Sequence, residues 1–194
     1  MTTTTLHLAI LGSTRGTNLQ AIIEAIAGKK LNAQIDVVIS NKADAHILKR
    51  AEDVGIRTVF IDGTTKTREQ FDQAALGILQ AYPIDLVLLI GYMRILSPSF
   101  VRAYPNKILN VHPSLLPAFA GGMDLNVHEE VIKSAVTETG CTIHLVDEGV
   151  DTGKVLLQKK CVVLPSDTPE TLKEKVQRLE GEAWVKVLQN FLKK

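Results

Sequence analysis

A chain of 194 residues that is 45% hydrophobic and 22% charged has the composition of a globular protein with a sizeable core. Its 22 basic and 21 acidic residues give a formal net charge of +1, which excludes a strong overall attraction to nucleic acid or to an anionic membrane. The sequence shows no signal-peptide pattern, no apolar run that could span a membrane and only two cysteines, so we expect a cytoplasmic protein without a disulfide scaffold.

Short apolar runs alternate with helical patterns along the first part of the chain. Several of these runs are apolar at consecutive positions, as strands buried on both faces are. Strands are predicted at 6–11, 34–40, 58–61, 85–90 and 107–111, and helices at 18–27, 43–54 and 67–81. Gly28 and Gly55 are placed to end the first two helices. This alternation predicts a parallel sheet covered by helices.

The pattern changes after residue 112. A loop with proline and glycine at 113–122 is followed by a predicted helix at 125–135 and by two predicted strands at 142–146 and 155–163. Between those strands lies an acidic, glycine-rich loop, and Thr168-Pro-Glu-Thr171 predicts the start of an amphipathic helix that runs to residue 192. We expect residues 1–194 to form a single α/β domain.

Polar residues collect in three loops that follow predicted strands, at 12–18, 91–98 and 112–122. Because ligands bind outside the carboxyl ends of the strands in such sheets, we expect these loops to share one site. The first loop could bind phosphate through backbone N–H groups at a helix start. It could equally be an ordinary strand-to-helix turn with Asn18 as the N-cap.

Asn110 and His112 are two residues apart in a predicted strand, so both side chains point to the same side. An amide can donate to a developing oxyanion, and an imidazole can move a proton near neutral pH. Asp151 lies between Gly149 and Gly153 in the acidic loop, and a carboxylate near His112 would favour a positively charged imidazole. These three groups predict chemistry at an acyl-type carbon.

Two other kinds of site are disfavoured by spacing. His112, His128 and His144 coexist with acidic residues, but they do not follow the spacing of a zinc-protease helix and there is no cysteine pair, so we expect no metal. Ser114 lacks the Gly-x-Ser-x-Gly turn that a serine hydrolase needs.

The motifs resemble those of the folate-dependent formyltransferases over roughly residues 6–192. Two are shared with the wider family, namely Asn110-Val-His-Pro-Ser-Leu-Leu-Pro117 and Asp147-Glu-Gly-Val-Asp-Thr-Gly153. Three are more selective for the phosphoribosylglycinamide formyltransferases, namely Gly16-Thr-Asn-Leu-Gln20, Ser40-Asn-Lys-Ala-Asp44 and Gly91-Tyr-Met-Arg-Ile-Leu-Ser-Pro98.

This resemblance implies a Rossmann-like, mostly parallel twisted sheet with helices on both faces, of the formyltransferase type. It implies transfer of the formyl group of 10-formyltetrahydrofolate, a co-substrate, to the amine of glycinamide ribonucleotide in purine biosynthesis. The transfer would proceed by direct attack through a tetrahedral intermediate, with Asn110, His112 and Asp151 as catalytic residues and no metal. The implied partners are these two small molecules, with neither nucleic acid nor membrane, and the protein would be a monomer or homodimer.

The resemblance also implies two sets of binding residues. Those for glycinamide ribonucleotide are Arg15, Gly16, Thr17, Asn18, Gln177 and Glu180. Those for the folate are Arg68, Met93, Arg94, Ile95, Leu96, Asn110, Asp147, Glu148, Gly149, Val150 and Asp151. Neither composition nor spacing points to Glu180.

The chain departs from the family pattern in three places. Thr14-Arg15 stands where many members have a more glycine-rich loop, the segment 121–125 inserts about three residues, and Lys154 replaces a usual proline. The alternatives are another formyltransferase, such as one acting on a sugar amine, or a non-catalytic folate- or nucleotide-binding protein. A tRNA-directed formyltransferase or a formylfolate hydrolase would carry an additional domain, for which we expect no room.

Overall fold

The structure, a computed structural model, describes residues 5–122 and 125–193 and contains a seven-stranded sheet with the order β3-β2-β1-β4-β5-β6-β7. Strands β1 to β5 are parallel to one another, whereas β6 runs antiparallel to both β5 and β7. The strands are β1 Leu6–Leu11, β2 Ala33–Ser40, β3 Thr58–Phe60, β4 Leu86–Leu89, β5 Ile108–His112, β6 Glu138–Leu145 and β7 Val155–Val162. This confirms the mostly parallel, Rossmann-like α/β fold.

Helices cover both faces of the sheet. They are α1 Thr17–Ala27, α2 His46–Glu52, α3 Arg68–Leu79, α4 Pro98–Ala103, α5 Leu125–Lys133 and α6 Pro169–Phe191. Helices α1, α2, α5 and α6 pack on one face and α3 and α4 on the other. Each face of the sheet carries its own hydrophobic core. In the central strand β1, Leu8 and Ile10 belong to one core and Ala9 and Leu11 to the other, because successive side chains of a strand alternate between faces.

Three local predictions differ from the structure. Helix α4 was not predicted, although Ser97 accepts a hydrogen bond from the Phe100 N–H as its N-cap and Pro98 occupies its first turn. The N-cap of α1 is Gly16, in a left-handed conformation with φ of 65°, and not Asn18. Strand β6 begins at Glu138 rather than at residue 142, because its pairing with β7 extends to that residue.

The described helices include none that is long and apolar enough to cross a membrane. Both cysteines are free, and burial raises the pKa of the Cys141 thiol to about 12. Cys141 therefore acts as a small buried hydrophobic residue in the core.

Candidate active site

Two adjoining cavities open at the carboxyl ends of the parallel strands. The first, of about 130 Å³, lies among the segments 91–96, 110–113 and 146–151. The second, of about 280 Å³, lies between the loop 14–18 and helix α6. They share four lining residues, which are Gly91, Met93, Val111 and Pro113. Two ligands bound in these cavities would therefore meet at the end of β5.

The structure brings Asn110, His112 and Asp151 together in the first cavity. Asn110 and His112 both line it, as their spacing in β5 predicts. The Nδ1 atom of His112 lies 3.1 Å from the Oδ2 atom of Asp151, and the His112 side chain is 3% exposed. An imidazole and a carboxylate are thus paired where little water can screen them.

Both ring nitrogens of His112 face oxygen acceptors. While Nδ1 faces Asp151, Nε2 lies 2.9 Å from the carbonyl oxygen of Phe119. Both nitrogens can donate at once only when the ring is positively charged. The surroundings of His112 are therefore arranged for a cationic ring, and the loop after β5 supplies one of the two acceptors.

Asp151 is held as a carboxylate. Burial acts to raise its pKa, but hydrogen bonds from His112, His144 and the Gly121 N–H outweigh burial and leave the pKa below its ordinary value. The Gly121 N–H donates to Oδ2 over 2.9 Å. Asp151 adopts a left-handed backbone conformation with φ of 55°, which is uncommon outside glycine and marks a constrained position.

Removing this charge is expected to destabilise the protein in a pH-dependent manner. Because the folded-state pKa of Asp151 is depressed, its contribution to the free energy of unfolding is fully present above the ordinary aspartate pKa of about 4. The contribution is lost as the pH falls from there toward the depressed pKa. The difference between wild type and Asp151→Asn, measured by urea unfolding from about pH 7 to about pH 3, should therefore shrink on acidification. A difference that does not change over this range would contradict the expectation.

His144 is a site residue that sequence reasoning missed. Its side chain is 2% exposed, and Nε2 lies 3.4 Å from the Oδ1 atom of Asp151 and 3.2 Å from the Nδ2 atom of Asn110. Its Nδ1 donates to the carbonyl oxygen of Leu145 over 2.9 Å, which fixes the ring. The missing information was the antiparallel pairing of β5 with β6, which sets His144 directly opposite Asn110.

Replacing His144 with leucine is expected to lower kcat by about 10- to 100-fold, because Asn110 and Asp151 would both lose a neighbour that orients them. Steady-state kinetics at saturating substrates would measure the loss. His7→Leu is the control, since His7 lies near the amino end of β1 and its side chain contacts Asp36 rather than the cluster. Equal kcat values for His144→Leu and wild type would show that His144 orients neither group.

The second cavity is lined by all six residues expected to bind the phosphorylated substrate. The left-handed Gly16 turns the chain into α1, and Gly16, Thr17 and Asn18 at the helix start line the cavity. Asn18 donates through Nδ2 to the Oε2 atom of Glu180 over 2.7 Å, and both residues are buried. The buried Asn18–Glu180 contact thereby joins the first loop to helix α6.

Lys173 and His128 also line the second cavity, and sequence reasoning had not selected either for a binding role. Lys173 lies one helical turn before Gln177 on α6, so that both face the same way. That spacing was the available signal for Lys173. Lys173 and Arg15 are two cationic residues that line this cavity. Its acidic residue, Glu180, accepts a hydrogen bond from Asn18.

The structure brings most, but not all, of the expected folate residues to the first cavity. Those that line it are Met93, Arg94, Ile95, Leu96, Asn110, Asp147, Gly149, Val150 and Asp151. Glu148 instead pairs with Arg102 over 2.8 Å at the surface. Arg68, the first residue of α3, is half-exposed and pairs with Glu69. Arg68 and Glu148 each form an ion pair that is exposed to solvent.

All three departures from the family pattern can be located, and Thr14 and Arg15 line the second cavity. Gly121 and Gly122 of the segment 121–125 line the first cavity, whereas Met123 and Asp124 lie outside the described residues. Lys154 is exposed, and its carbonyl oxygen accepts a hydrogen bond from the Leu145 N–H. That backbone bond holds the end of the acidic loop without a proline.

In the described ranges 5–122 and 125–193, no group of three or more histidine, cysteine or acidic side chains is arranged to hold a metal ion. His112 and His144 share a single carboxylate, that of Asp151. Backbone groups of Phe119, Gly121 and Leu145 also form hydrogen bonds with these three side chains.

Residues 6–188 match the family described as formyl transferase. Over 184 residues the chain is 45% identical to the human trifunctional purine biosynthetic protein adenosine-3. The matched region covers 94% of this chain but only 18% of that protein. The chain is 40% identical over 185 residues to the phosphoribosylglycinamide formyltransferase of Haemophilus influenzae, covering 95% of this chain and 86% of that one. The chain therefore spans less than a fifth of the trifunctional relative and most of the bacterial one.

Solved structures are similar over almost the entire chain. Glycinamide ribonucleotide transformylase 1 from Symbiobacterium toebii matches with a TM-score of 0.93 and 38% identity, covering 97% of this chain and 88% of that chain. Phosphoribosylglycinamide formyltransferase from Coxiella burnetii matches with a TM-score of 0.91 and 40% identity, with the same two coverages. The chain belongs to the formyl transferase family, in the group that contains the phosphoribosylglycinamide formyltransferases.

Proposed function

We propose that this protein transfers the formyl group of 10-formyltetrahydrofolate to the amine of glycinamide ribonucleotide, giving formylglycinamide ribonucleotide and tetrahydrofolate in purine biosynthesis. The observation that carries the proposal is the meeting of two cavities beside the cluster of Asn110, His112 and Asp151. The relatives that this chain matches over most of their length have names that support the same reaction.

The second cavity suits the phosphorylated substrate. Arg15 and Lys173 supply positive charge, and the start of α1 supplies backbone N–H donors for a phosphate. The buried pair of Glu180 and Asn18 supplies oxygen and nitrogen atoms for ribose hydroxyl groups. Under this proposal the amine of the substrate points toward the wall that both cavities share.

The first cavity suits the folate. Ile95, Leu96 and Val150 provide apolar walls for a flat heterocycle, and the surrounding loop segments provide backbone donors and acceptors. Asn110 and His112 line this cavity on either side of Val111 in the chain, and Val111 lines both cavities. The formyl group would therefore lie next to the amine, and much of the acceleration would come from this positioning.

The chemistry requires one bond to form and one to break. The amine nitrogen bonds to the formyl carbon, and an oxyanion develops that the Asn110 amide and the His112 N–H stabilise by hydrogen bonding. The bond from that carbon to N10 of the folate then breaks, and the proton lost by the amine ends on N10 through water. Asp151 stabilises the positive charge on His112 throughout.

The contact between His112 and the Phe119 carbonyl adds a step to this proposal. Because Nε2 already donates to Phe119, it can donate to an oxyanion only by exchanging one oxygen acceptor for another. We place that exchange at substrate binding, with the loop carbonyl moving away as the formyl oxygen arrives. Before the substrate binds, the Phe119 carbonyl oxygen thus occupies the acceptor position that the formyl oxygen takes afterwards.

A spectroscopic assay of folate deformylation tests the proposal. Deformylation of 10-formyltetrahydrofolate should depend on glycinamide ribonucleotide and should yield one formylated product for each folate released. A sugar amine used as acceptor at a comparable rate would favour the sugar-amine alternative, and release without any amine would indicate a hydrolase. Binding of both substrates without release would indicate a non-catalytic binding protein.

The proposal extends to the setting of the reaction. Free cysteines are typical of the reducing cytoplasm, where we place the enzyme. All the residues assigned to the two substrates lie in this one chain, so a site built in this way serves a monomer or a homodimer alike.

A further inference from the structure

One motif singled out in the sequence, Ser40-Asn-Lys-Ala-Asp44, contributes no residue to either cavity. It follows β2, the strand beside β1, and Asn41 is half-buried there. The Oδ1 atom of Asn41 accepts a hydrogen bond from the Ser13 hydroxyl over 2.6 Å. The motif therefore contacts the loop after β1 without contacting a substrate cavity itself.

Ser13 passes this contact on to a third loop. Its side-chain oxygen accepts a hydrogen bond from the Met93 N–H over 2.9 Å, and its own N–H donates to the Gly91 carbonyl oxygen over 3.0 Å. Ser13 is only 3% exposed. The bonded series Asn41, Ser13, Met93 thus crosses the carboxyl ends of three neighbouring strands, β2, β1 and β4.

The directions of these hydrogen bonds show how Asn41 orients the Ser13 hydroxyl group. A serine hydroxyl has one hydrogen and rotates freely unless an acceptor takes that hydrogen. Asn41 takes it, so a lone pair of the Ser13 oxygen stays aimed at the Met93 N–H. Without Asn41 the hydroxyl could turn away, and the Met93 N–H would lose its acceptor at a cost comparable to a lost hydrogen bond.

Met93 is one of the residues that line both cavities, and so is Gly91. We propose that Asn41 and Ser13 are positioning residues that fix this shared wall and so set the approach of the amine to the formyl carbon. This inference rests on the proposed function, because it concerns the distance between two substrates. Neither residue touches a substrate in this account.

The test compares Asn41→Ala, Asn41→Asp and Ser13→Ala with wild type. We expect kcat to fall by about 10-fold or more in Asn41→Ala and Ser13→Ala, because misplacement of reacting groups is costly. Dissociation constants of the two substrates measured one at a time should change by less than about threefold. Asn41→Asp keeps an acceptor oxygen for the Ser13 hydroxyl and should recover most of the wild-type kcat.

The double variant Ser13→Ala/Asn41→Ala should lose no more kcat than the worse single variant, since both changes break one series of bonds. Lys42→Ala, in the same motif but exposed, is the control and should keep the wild-type kcat. Thermal unfolding of every variant is measured in parallel. If Asn41→Ala fails to fold, the comparison of Ser13→Ala with Asn41→Asp decides the matter.

Three outcomes would overturn the inference: wild-type kcat in Asn41→Ala or Ser13→Ala, losses that multiply in the double variant, or a failure of Asn41→Asp to recover activity. In each case the wild-type enzyme would still show amine-dependent deformylation. Absence of that activity in the wild type would instead overturn the proposed function, so the two failures are distinguishable.

Discussion

Replacing Asp151 with asparagine, or His112 with alanine, is expected to lower kcat by about 10²- to 10⁴-fold. Asp151→Asn keeps the shape of the side chain but removes the charge that faces Nδ1 of His112 over 3.1 Å. In the proposed mechanism, the ring then loses the group that stabilises its positive charge, and the ring becomes a weaker donor to the developing oxyanion. Single-turnover kinetics with both substrates bound would measure the effect on the chemical step.

The matched control for Asp151→Asn is Asp53→Asn, which removes an exposed carboxylate at the end of α2. It should leave kcat unchanged, because its partner Lys49 is also exposed. Circular dichroism should show a retained fold for all three variants. Turnover within about threefold of wild type in Asp151→Asn or His112→Ala would contradict the catalytic role of that residue.

A second large effect is expected for Gly153→Ala. A Cβ atom at this position would lie 1.7 Å from the carbonyl oxygen of Leu145 and 2.7 Å from its carbonyl carbon. These are backbone atoms at the end of β6, so the acidic loop has to shift as a unit. We expect a loss of about 3 kcal/mol in the free energy of unfolding, together with a fall in kcat because Asp151 is two residues away.

Gly77→Ala provides the control for Gly153→Ala. Gly77 lies within α3, and a Cβ atom there would meet no heavy atom within 4 Å beyond its chain neighbours and the backbone of its own helix. Alanine should therefore stabilise the protein by about 0.4–1 kcal/mol. Urea unfolding and steady-state kinetics on both variants would test this pair. Wild-type stability in Gly153→Ala would mean that the loop adapts to the added methyl group.

The fold was largely predictable because the sheet is buried on both faces. Strand β1 was predicted with its observed bounds, since a continuous apolar run leaves few other interpretations. Helix α4 was missed because six residues are too short to show a helical period, although Ser97 and Pro98 carry a helix-start pattern. Short elements depend on capping and local contacts, which an apolar pattern does not record.

For the candidate site, the two residues of β5 and the loops that follow the parallel strands could be predicted, but a residue contributed by an antiparallel strand could not. Asn110 and His112 follow from the two-residue period of β5. His144 reaches the same cluster only through the antiparallel pairing of β6, and that direction is a property of the whole sheet. The spacing of Lys173 to Gln177 was a usable signal only for a reader who already placed Gln177 on the face of α6 that meets the loop 14–18.

The surface charges show a different limit of sequence reasoning. Arg68 and Glu148 were expected beside the folate, yet each is paired with another charged residue at the surface. Exposed ion pairs are worth little free energy, so a ligand could recruit either side chain at small cost. A sequence motif shows that Arg68 and Glu148 are present, but it does not show which ion pairs they form in the folded protein.

The hydrogen bonds between the proposed catalytic cluster and the loop after β5 have a consequence for substrate affinity. Phe119 accepts from His112 and Gly121 donates to Asp151, so under the proposed function the loop after β5 competes with the substrate for these two side chains. Measured affinity is then the intrinsic affinity multiplied by the fraction of molecules in which the loop has withdrawn. A loop engaged in nine of ten molecules would weaken apparent binding roughly tenfold. Changes confined to the segment 118–122 would therefore raise or lower affinity while every side chain of the proposed catalytic trio stays the same.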